Sequence, residues 1–372
     1  MTVRVSLPAR SGAQGDASYD ILIGRGLLVE LPALLARTCP APAYAVISDS
    51  HVGPRYGDPL VAALRQAGHS ADLYTFPAGE RNKTRETWAA LSDRLLEARL
   101  GRDGVVIALG GGVTGDVAGF VAATYLRGIR YVQVPTSLLA MIDSSIGGKT
   151  GVDVPRGKNL LGAFHQPSLV LVDLETLATL PAPQFAAGIA EAVKHGVIAD
   201  AEYFAGLERD HRQLLARAPE QLEQAVRRSV EIKAEIVAAD EREAGRRAVL
   251  NFGHTIGHAI EATSGYGVLH GEAVAIGMAL ESRLAERAGV AEAGTAARIE
   301  RVLSNYSLPL ELPDGNAVDR LLEAMQHDKK TRRGELRLSL PHRIGAMGVD
   351  AQRGWTVPVA EALMRDILTK PL

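Results

Sequence analysis

Short apolar runs alternate with helical segments through the first half of this 372-residue chain, and that alternation restricts the folds open to it. Strands are predicted at 44–48, 72–76, 105–110, 130–134 and 168–173, and helices at 54–68, 85–100 and 113–127. The run 105–110, Val-Val-Ile-Ala-Leu-Gly, has apolar residues on both faces, which is typical of a buried strand in a parallel sheet. Strands and helices that alternate at these lengths predict an open α/β sheet with parallel pairing.

The pattern changes near Pro181-Ala-Pro183. Beyond it, apolar residues recur at helical spacing, and long helices are predicted at 184–198, 220–240, 250–263 and 271–288. Strand-like residues return only at 336–340, before a last helix at 359–368. The Gly- and Lys-rich segment 143–166 of the first half is predicted to be a loop. We therefore expect an α/β domain over 1–180 and a mainly α-helical domain over 181–372.

Charge and composition exclude several classes of protein. The chain has 41 Lys and Arg against 43 Asp and Glu, so no overall positive field attracts nucleic acid or an anionic membrane. No run approaches the roughly 18 uncharged apolar residues of a membrane span, and the first residues lack the apolar core of a signal peptide. The single cysteine, Cys39, cannot form an intrachain disulfide. We expect a cytoplasmic protein whose partner is a small molecule.

A glycine-rich motif suggests a nucleotide site. Gly110-Gly-Gly-Val-Thr-Gly115 follows a predicted strand and begins a predicted helix. It thus matches the pattern G-x-G-x-x-G at the strand-to-helix position where this pattern binds nucleotides. Glycine lets the backbone approach a pyrophosphate, and the helix N-terminus offers N–H groups and partial positive charge. An ordinary tight turn is the alternative. Two further strand ends favour the nucleotide. Asp49 could accept hydrogen bonds from ribose hydroxyls or cap a helix, and Gly79-Glu80-Arg-Asn-Lys83 could contact the ligand or carry solvated turn charges.

A second loop carries positive charge. Asp143-Ser-Ser-Ile-Gly-Gly-Lys149 and Gly157-Lys158-Asn159 place lysines among small residues, with Arg127 and Arg130 upstream. Cations on glycine-rich loops suit a phosphorylated or carboxylated ligand. A charged, solvated surface loop is the alternative.

A group of histidines suggests a metal site. His254 and His258 in Asn251-Phe-Gly-His-Thr-Ile-Gly-His are spaced so that one helix face presents both to a metal. A catalytic zinc site needs about three protein ligands and one open position. Two ligand sets are open, namely Glu191, His254 and His270 with His258 as a neighbour, or His254, His258 and Glu261 from one helix. Spacing does not decide between them.

Together these residues resemble the 3-dehydroquinate synthase family of sugar-phosphate cyclases. The resemblance covers nearly the whole chain. It rests on the glycine loop with Asp116, the Gly79-Glu80 turn, Tyr125-Leu-Arg127-Gly, Pro135-Thr-Ser137, Asp143-Ser-Ser-Ile-Gly-Gly-Lys149-Thr, Gly157-Lys158-Asn159, Glu191-Ala-Val-Lys194, Asn251 to His258, His270-Gly-Glu272 and Asp328-Lys-Lys330. It implies a homodimer with a Rossmann-like NAD-binding α/β domain, a helical domain, and an active site in the cleft between them.

The resemblance also implies residue roles. The metal, Zn²⁺ or Co²⁺, would be held by Glu191, His254 and His270, and His258 would not be a ligand. The NAD contacts would be Asp49, Gly79, Glu80, Lys83, Gly111, Gly112, Val113, Thr114, Gly115, Asp116, Thr136, Ser137, Lys149, Lys158, Thr176, Leu177, Ala178 and Thr179. The substrate would be faced by Asp143, Lys149, Asn159, Lys194, Lys233, Arg247, Asn251, His258 and one or both of Lys329 and Lys330. Arg127 resembles an arginine that acts in the site of the partner subunit. Ser137 replaces the commoner Thr but keeps its hydroxyl.

The family converts 3-deoxy-D-arabino-heptulosonate 7-phosphate to 3-dehydroquinate and phosphate, in the shikimate pathway to aromatic amino acids. The route is transient oxidation by NAD, phosphate elimination, re-reduction, ring opening and intramolecular aldol closure, with the metal as a Lewis acid. The nearest alternative is a sibling cyclase acting on sedoheptulose 7-phosphate or glucose 6-phosphate, which lack the carboxylate. A glycerol dehydrogenase-like enzyme and a catalytically silent NAD-binding protein are more distant alternatives. Lys233, Arg247 and Asn251, with a Lys in 328–330, favour the synthase.

Overall fold

The computed structural model describes residues 1–8, 17–155, 157–265, 267–313, 317–327, 336–349 and 354–369. The chain forms two compact units. The first, which we call the α/β unit, comprises Met1–Leu180 and Lys233–Ala238. The second, which we call the helical unit, comprises Pro181–Ile232 and Ala239–Leu372.

The α/β unit contains nine strands and four α-helices in the residues described. The strands are β1 (Thr2–Val5), β2 (Tyr19–Gly24), β3 (Ala43–Asp49), β4 (Ser70–Phe76), β5 (Val105–Gly110), β6 (Arg130–Pro135), β7 (Lys149–Val154), β8 (Gly157–Phe164) and β9 (Leu169–Asp173). The helices are α1 (Leu27–Thr38), α2 (Asp58–Gln66), α3 (Arg85–Glu97) and α4 (Gly112–Thr124). Seven strands form one sheet in the order β1-β2-β9-β6-β5-β3-β4, with β1 antiparallel to β2 and the other pairs parallel.

Strand β5 shows why the sheet is parallel and covered on both faces. All six of its residues are buried. Because successive side chains point to opposite faces, Val105, Ile107 and Leu109 join the core formed with α1 and α2. Val106 and Ala108 join the core formed with α3 and α4. The continuous apolar run in the sequence therefore reflects a central strand between two helical layers, as predicted.

The prediction that 143–166 is a loop was wrong. Strands β7 and β8 pair antiparallel within this segment. A Cβ on Gly162 would lie 2.2 Å from the carbonyl oxygen of Thr150, so the glycines here permit close strand pairing. Because β8 is largely exposed, it lacks the alternation of apolar and polar residues that predicts a half-buried strand. Strands β1 and β2 and helix α1 were also missed.

The helical unit contains nine α-helices and four short strands in the residues described. The helices are α5 (Ala182–Ala199), α6 (Ala201–Arg209), α7 (His211–Leu215), α8 (Pro219–Ala239), α9 (His254–Thr263), α10 (His270–Arg287), α11 (Thr295–Asn305), α12 (Val318–His327) and α13 (Glu361–Thr369). The strands are β10 (Arg337–Leu338), β11 (Pro341–Arg343), β12 (Ala346–Met347) and β13 (Val357–Pro358). Residues Lys233–Ala238 of α8 belong to the α/β unit. None of the described helices is long and apolar enough to cross a membrane.

Two sequence predictions for this half needed correction. The helix predicted at 250–263 begins only at His254, because Gly253 has a φ of 78° and interrupts the helical path from the preceding 3₁₀ turn, Arg246–Asn251. In the described residues of this half, strands return as four short strands rather than only at 336–340. The other long helices lie within a few residues of their predicted bounds.

Helices α9 and α10 pack with almost no space between their backbones. A Cβ on Gly277 of α10 would lie 1.9 Å from the carbonyl oxygen of Gly253. A Cβ on Gly257 of α9 would lie 3.1 Å from the carbonyl oxygen of Ala273. Glycine at these positions therefore sets the distance between the two helices.

We expect Gly277→Ala to destabilise the protein by about 3 kcal/mol, because its methyl group collides with backbone that cannot move alone. The control is Gly206→Ala in α6, where the nearest atom to an added Cβ is 3.9 Å away. That change should stabilise by about 0.5 kcal/mol through the helix propensity of alanine. Urea unfolding monitored by circular dichroism measures both. Equal stability of the two variants would contradict the packing argument.

Candidate active site

Most of the predicted nucleotide residues follow strands of the seven-stranded sheet, whereas Lys149 and Lys158 lie on the separate β7–β8 hairpin. Strands β3, β4, β5, β6 and β9 run parallel, so the segments that follow them meet at their common carboxyl edge. These segments carry Asp49, Gly79 to Lys83, Gly111 to Asp116, Thr136 with Ser137, and Thr176 to Thr179. The topology thus brings together residues that are up to 130 positions apart in the sequence.

The glycine loop fits tightly between β5 and α4. A Cβ on Gly110 would lie 2.5 Å from Oγ1 of Thr114, and one on Gly115 would lie 2.8 Å from Oε1 of Gln133. The helix α4 therefore starts directly against the sheet, with Val113 in its first turn. Its first N–H groups have no partner within the helix, which is the property that suits anions at such a position.

Asp49 caps the turn that follows β3, which is one of the two roles considered from the sequence. Its Oδ1 accepts hydrogen bonds from the N–H groups of His51 (2.8 Å) and Val52 (3.0 Å), which is a capping arrangement. Its Oδ2 accepts a bond from Oγ1 of Thr114 at 3.3 Å. The capping bonds hold the carboxylate at the end of β3, beside the glycine loop.

The segment Thr176 to Thr179 lies in a 3₁₀ turn after β9. The hydroxyl of Tyr56 lies 2.8 Å from Oγ1 of Thr179. The carboxylate of Asp173 accepts bonds from the N–H groups of Gly26 and Leu28, at 3.0 and 2.9 Å. The contact between Tyr56 and Thr179 was not predicted from the sequence, because no local pattern links two residues more than 100 positions apart.

The buried Lys83, in the charged turn after β4, connects that turn to Asp116 and Asn159. Nζ of Lys83 lies 2.6 Å from Oδ2 of Asp116 and 2.6 Å from Oδ1 of Asn159. Burial lowers the pKa of Lys83, but the carboxylates of Asp116, Glu80 and Asp153 outweigh it and raise that pKa above its ordinary value. Lys83 is therefore a permanent cation at this edge.

Other predicted residues of the α/β unit form ion pairs or lie on its surface. Nζ of Lys158 lies 2.9 Å from Oε1 of Glu80. Nζ of Lys233, in the part of α8 that belongs to this unit, lies 2.7 Å from Oδ1 of Asp143. Lys149 is exposed at the start of β7. Arg127 is also exposed, with a φ of 69° in a turn after α4.

Three potential metal ligands converge in the helical unit. Glu191 lies in α5, His254 starts α9 and His270 starts α10. Nε2 of each histidine lies 3.4 Å from Oε1 of Glu191. Ligand atoms bound at about 2 Å to a tetrahedral zinc are separated by roughly this distance. The donor set and its spacing fit a divalent metal ion.

Outer hydrogen bonds orient both imidazoles. Nδ1 of His254 donates to the carbonyl oxygen of Phe252 at 3.0 Å, so in the neutral ring the Nε2 lone pair faces Glu191. Nδ1 of His270 lies 3.3 Å from both carboxylate oxygens of Glu261. Such contacts accompany metal-bound histidines, because they fix the tautomer and the ring orientation. Glu261, one of the alternative ligands, thus contacts His270 instead.

The charges around Glu191 are closely balanced. Glu191 is fully buried and forms an ion pair with Lys194, one turn later in α5. Burial and the Lys194 charge lower the pKa of His254 well below its ordinary value. Burial also lowers the pKa of His270, but the carboxylates of Glu261 and Glu191 raise it to about 10. The carboxylates of Glu261 and Glu191 therefore favour a positive charge at His270, whereas burial and Lys194 disfavour one at His254.

His258 lies beside the three converging residues. Its ring centroid is 5.3 Å from that of His254 and 6.2 Å from that of His270. His258, Glu261 and His270 also have potential ligand atoms within 4.8 Å of one another. That set lacks the fully buried carboxylate of Glu191.

The segment between α8 and α9 carries Arg247 and Asn251. Arg247 is buried, and its Nη1 donates to the carbonyl oxygen of Glu241 at 2.5 Å. Nδ2 of Asn251 donates to Oε1 of Glu243 at 2.8 Å. The carboxylate of Asp240 accepts bonds from the N–H groups of Ala244, Gly245 and Arg247, at 2.9, 2.7 and 3.0 Å. Asp240 and Glu243 were missed from the sequence. The predicted residues Lys329 and Lys330 lie outside the described part of the chain.

Both halves of the chain match models of one protein family. Residues 73–187 match the family model for the 3-dehydroquinate synthase N-terminal region, and residues 188–331 match the model for its C-terminal region. A 3-dehydroquinate synthase from Symbiobacterium thermophilum is 50% identical over 90% of this chain and 94% of its own length. The chain belongs to the 3-dehydroquinate synthase family.

Solved structures of other cyclases share the fold. A 2-deoxy-scyllo-inosose synthase, solved with carbaglucose-6-phosphate, NAD⁺ and Co²⁺, has a TM-score of 0.90 at 27% identity and covers 100% of both chains. A 2-epi-5-epi-valiolone synthase from Streptomyces hygroscopicus subsp. jinggangensis, solved with NAD⁺ and Zn²⁺, has a TM-score of 0.86 at 32% identity, covering 96% of this chain and 98% of its own. The fold of a Rossmann-like α/β region followed by a mainly helical region, expected for a 3-dehydroquinate synthase, is confirmed.

Replacing Asp240 tests whether its hydrogen bonds hold the segment between α8 and α9, which carries Arg247. Burial raises the pKa of Asp240, but the three backbone N–H donors and the Arg247 charge outweigh it and lower that pKa below its ordinary value. Asp240→Asn should therefore reduce the free energy of unfolding at pH 7 by about 1 kcal/mol, allowing for partial exposure. The difference from the parent should be complete above the unfolded Asp pKa of about 3.9 and disappear as pH falls through the lower folded value.

Urea unfolding at several pH values measures this difference. Asp93→Asn, which changes an exposed carboxylate on α3, is the control and should leave stability unchanged. An Asp240→Asn protein as stable as the parent at pH 7 would show that these hydrogen bonds do not hold the segment.

Proposed function

We propose that the chain converts 3-deoxy-D-arabino-heptulosonate 7-phosphate to 3-dehydroquinate and phosphate, the reaction of its family. The observation that carries this proposal is the fully buried Glu191 carboxylate with two imidazole nitrogens 3.4 Å away. That arrangement stands in a chain 50% identical to a 3-dehydroquinate synthase. The enzyme is a phosphate-eliminating lyase that depends on NAD and a divalent metal.

The metal ligands are Glu191, His254 and His270, and the metal is Zn²⁺ or Co²⁺. When bound, the metal lowers the pKa of a substrate hydroxyl as a Lewis acid, and NAD accepts a hydride and returns it. Glu191 supplies negative charge that attracts the cation. The carbonyl oxygen of Phe252 and the carboxylate of Glu261 hold the two imidazoles in the orientation that coordination requires.

The carboxyl edge of the sheet binds NAD. The start of α4 receives the pyrophosphate, because its N–H groups and the close backbone approach of the glycine loop suit that anion. Asp49 accepts hydrogen bonds from a ribose, since its carboxylate is already fixed by the His51 and Val52 N–H groups. The remaining contacts are those named from the sequence: Gly79, Glu80, Lys83, Gly111 to Asp116, Thr136, Ser137, Lys149, Lys158 and Thr176 to Thr179.

The substrate has two anionic ends, and the predicted cations suit them. Arg247 is the candidate for the carboxylate, because its planar guanidinium bonds carboxylates in a bidentate manner and its backbone is anchored by Asp240. Lys149, Asn159, His258 and a lysine of 329–330 are assigned to the phosphate. Asp143, Lys194, Lys233 and Asn251 complete the substrate contacts, by resemblance to the family.

We propose further that the enzyme is a cytoplasmic homodimer and that Arg127 acts in the site of the other subunit. The exposure of Arg127 and its φ of 69° support this, because the turn directs a cation to the surface at the cost of backbone strain.

A sibling cyclase acting on sedoheptulose 7-phosphate is the second candidate. The identities weigh against it, since the two solved sibling enzymes are 27% and 32% identical to this chain, against 50% for the Symbiobacterium synthase. The buried Arg247 also weighs against it, because the sibling substrates lack the carboxylate that this side chain is suited to bind.

The purified, metal-loaded protein should release phosphate from the heptulosonate phosphate with catalytic NAD⁺ and without accumulation of NADH. It should release none from sedoheptulose 7-phosphate. Glu191→Ala should lose bound metal and turnover together, because the ligand set loses its only carboxylate. Metal analysis, a phosphate assay and NADH absorbance measure these results. Release only from the sedoheptulose ester would establish the sibling reaction, and NADH without phosphate would indicate a dehydrogenase.

Mixing two inactive variants tests the role of Arg127. In a hybrid dimer of Arg127→Ala and Glu191→Ala subunits, one site has an intact metal site and an arginine from its partner. Random exchange between equal amounts should restore about a quarter of the parent activity if the enzyme is a C2 dimer. Mixing each variant with itself is the control. No recovery after verified subunit exchange would contradict action across subunits.

A further inference from the structure

Helix α10 carries a carboxylate that none of the functions above uses. Glu281 is fully buried in the helical unit. A carboxylate without water is stabilised only where donors or cations replace its hydration. Its side chain therefore requires partners, and two of them are backbone N–H groups of another helix.

Both carboxylate oxygens of Glu281 accept hydrogen bonds from the start of α9. Oε2 accepts from the N–H of Gly253 at 2.7 Å, and Oε1 accepts from the N–H of Ile256 at 3.2 Å. Gly253, the residue before α9, has no side chain with which to cap the helix. Glu281 thus supplies the cap from a different helix, where a negative charge also favours the N-terminal dipole.

His254 lies between the two N–H groups that Glu281 holds. It is the first residue of α9, and its Nε2 faces Glu191. Helix α10 begins with His270, about 16 Å along the helix from Glu281. Helix α10 therefore carries one proposed metal ligand, His270. Through the carboxylate of Glu281 it also fixes the backbone beside a second proposed ligand, His254.

We propose that Glu281 is a positioning residue for the metal site: it fixes the start of α9, and thereby His254, relative to α10. The role rests on the proposed ligand set of Glu191, His254 and His270. A carboxylate suits it because each of two oxygens must accept an N–H. A glutamine offers one acceptor oxygen and turns an NH₂ group toward the other N–H.

Glu281→Gln should weaken Zn²⁺ binding by about 10- to 100-fold, the usual effect of losing a group that orients a ligand. NAD⁺ affinity should be unchanged. Zinc affinity is measured in the full-length protein by competition with a chelating dye, and the absorption spectrum of bound Co²⁺ reports its ligand geometry. If Glu281→Gln does not fold, Glu281→Asp replaces it, because shortening the side chain by one methylene withdraws the carboxylate while keeping its charge.

The matched control is Ser282→Ala, on the next residue of α10. Ser282 is fully buried and its hydroxyl donates to the carbonyl oxygen of Met278 in the same helix, with a length of 2.6 Å. Its loss should lower stability without changing zinc affinity. If Glu281→Gln likewise lowers stability but binds zinc as tightly as the parent, with the same Co²⁺ spectrum, the proposal is overturned.

Glu191→Gln separates this proposal from the one on which it rests. If Glu191→Gln loses zinc affinity and Glu281→Gln does not, the ligand set stands and the role of Glu281 is wrong. If Glu191→Gln binds zinc like the parent, the proposed metal site is wrong and the role of Glu281 is overturned with it. Weakened binding in both variants supports both proposals.

Discussion

The proposed metal site of the helical unit depends on the burial of one carboxylate, that of Glu191. The Glu191 carboxylate has no exposed surface, and the transfer of such a group out of water costs several kcal/mol unless opposite charges and donors surround it. Lys194 supplies a charge one turn away on the same helix, and His254 and His270 approach from two others. A group that is costly to bury and placed among imidazoles is suited to bind a cation, because a divalent ion returns the electrostatic stabilisation that water would have given.

Short imidazole side chains can reach that carboxylate only if their helices come close. Glycines at the helix crossings allow this approach. A Cβ on Gly277 would lie 1.9 Å from the carbonyl oxygen of Gly253, just before α9, and one on Gly271 would lie 1.9 Å from the carbonyl oxygen of Ala187 in α5. In the α/β unit, the groups predicted to bind the nucleotide are brought together by the sheet instead of by helix packing. There the parallel strands deliver backbone N–H groups and short polar side chains to one edge, and Lys83 adds a fixed positive charge.

The elements that could be predicted from the sequence are those whose structure is determined by neighbouring residues in the chain. The strand at 105–110 and its glycine loop were predicted, because a buried strand is apolar throughout and the motif follows it directly. The β7–β8 hairpin was missed because its second strand is largely exposed and has no alternating pattern. Asp240 and Glu281 were missed for another reason. Their partners are backbone N–H groups, which every residue has, so no residue pattern distinguishes these carboxylates from solvated ones.

The sequence left two ligand sets open, and they differ in the role that they give to Glu261. In the single-helix set, Glu261 would bind the metal beside His254 and His258. In the structure both of its carboxylate oxygens face Nδ1 of His270, whose Nε2 faces Glu191. A carboxylate that orients an imidazole from the far side of the ring strengthens that imidazole as a ligand. The geometry therefore favours the proposed set drawn from three helices. In that proposal a single helix resembles a metal site in sequence but contributes one ligand, His254, and the carboxylate that contacts a second ligand, His270.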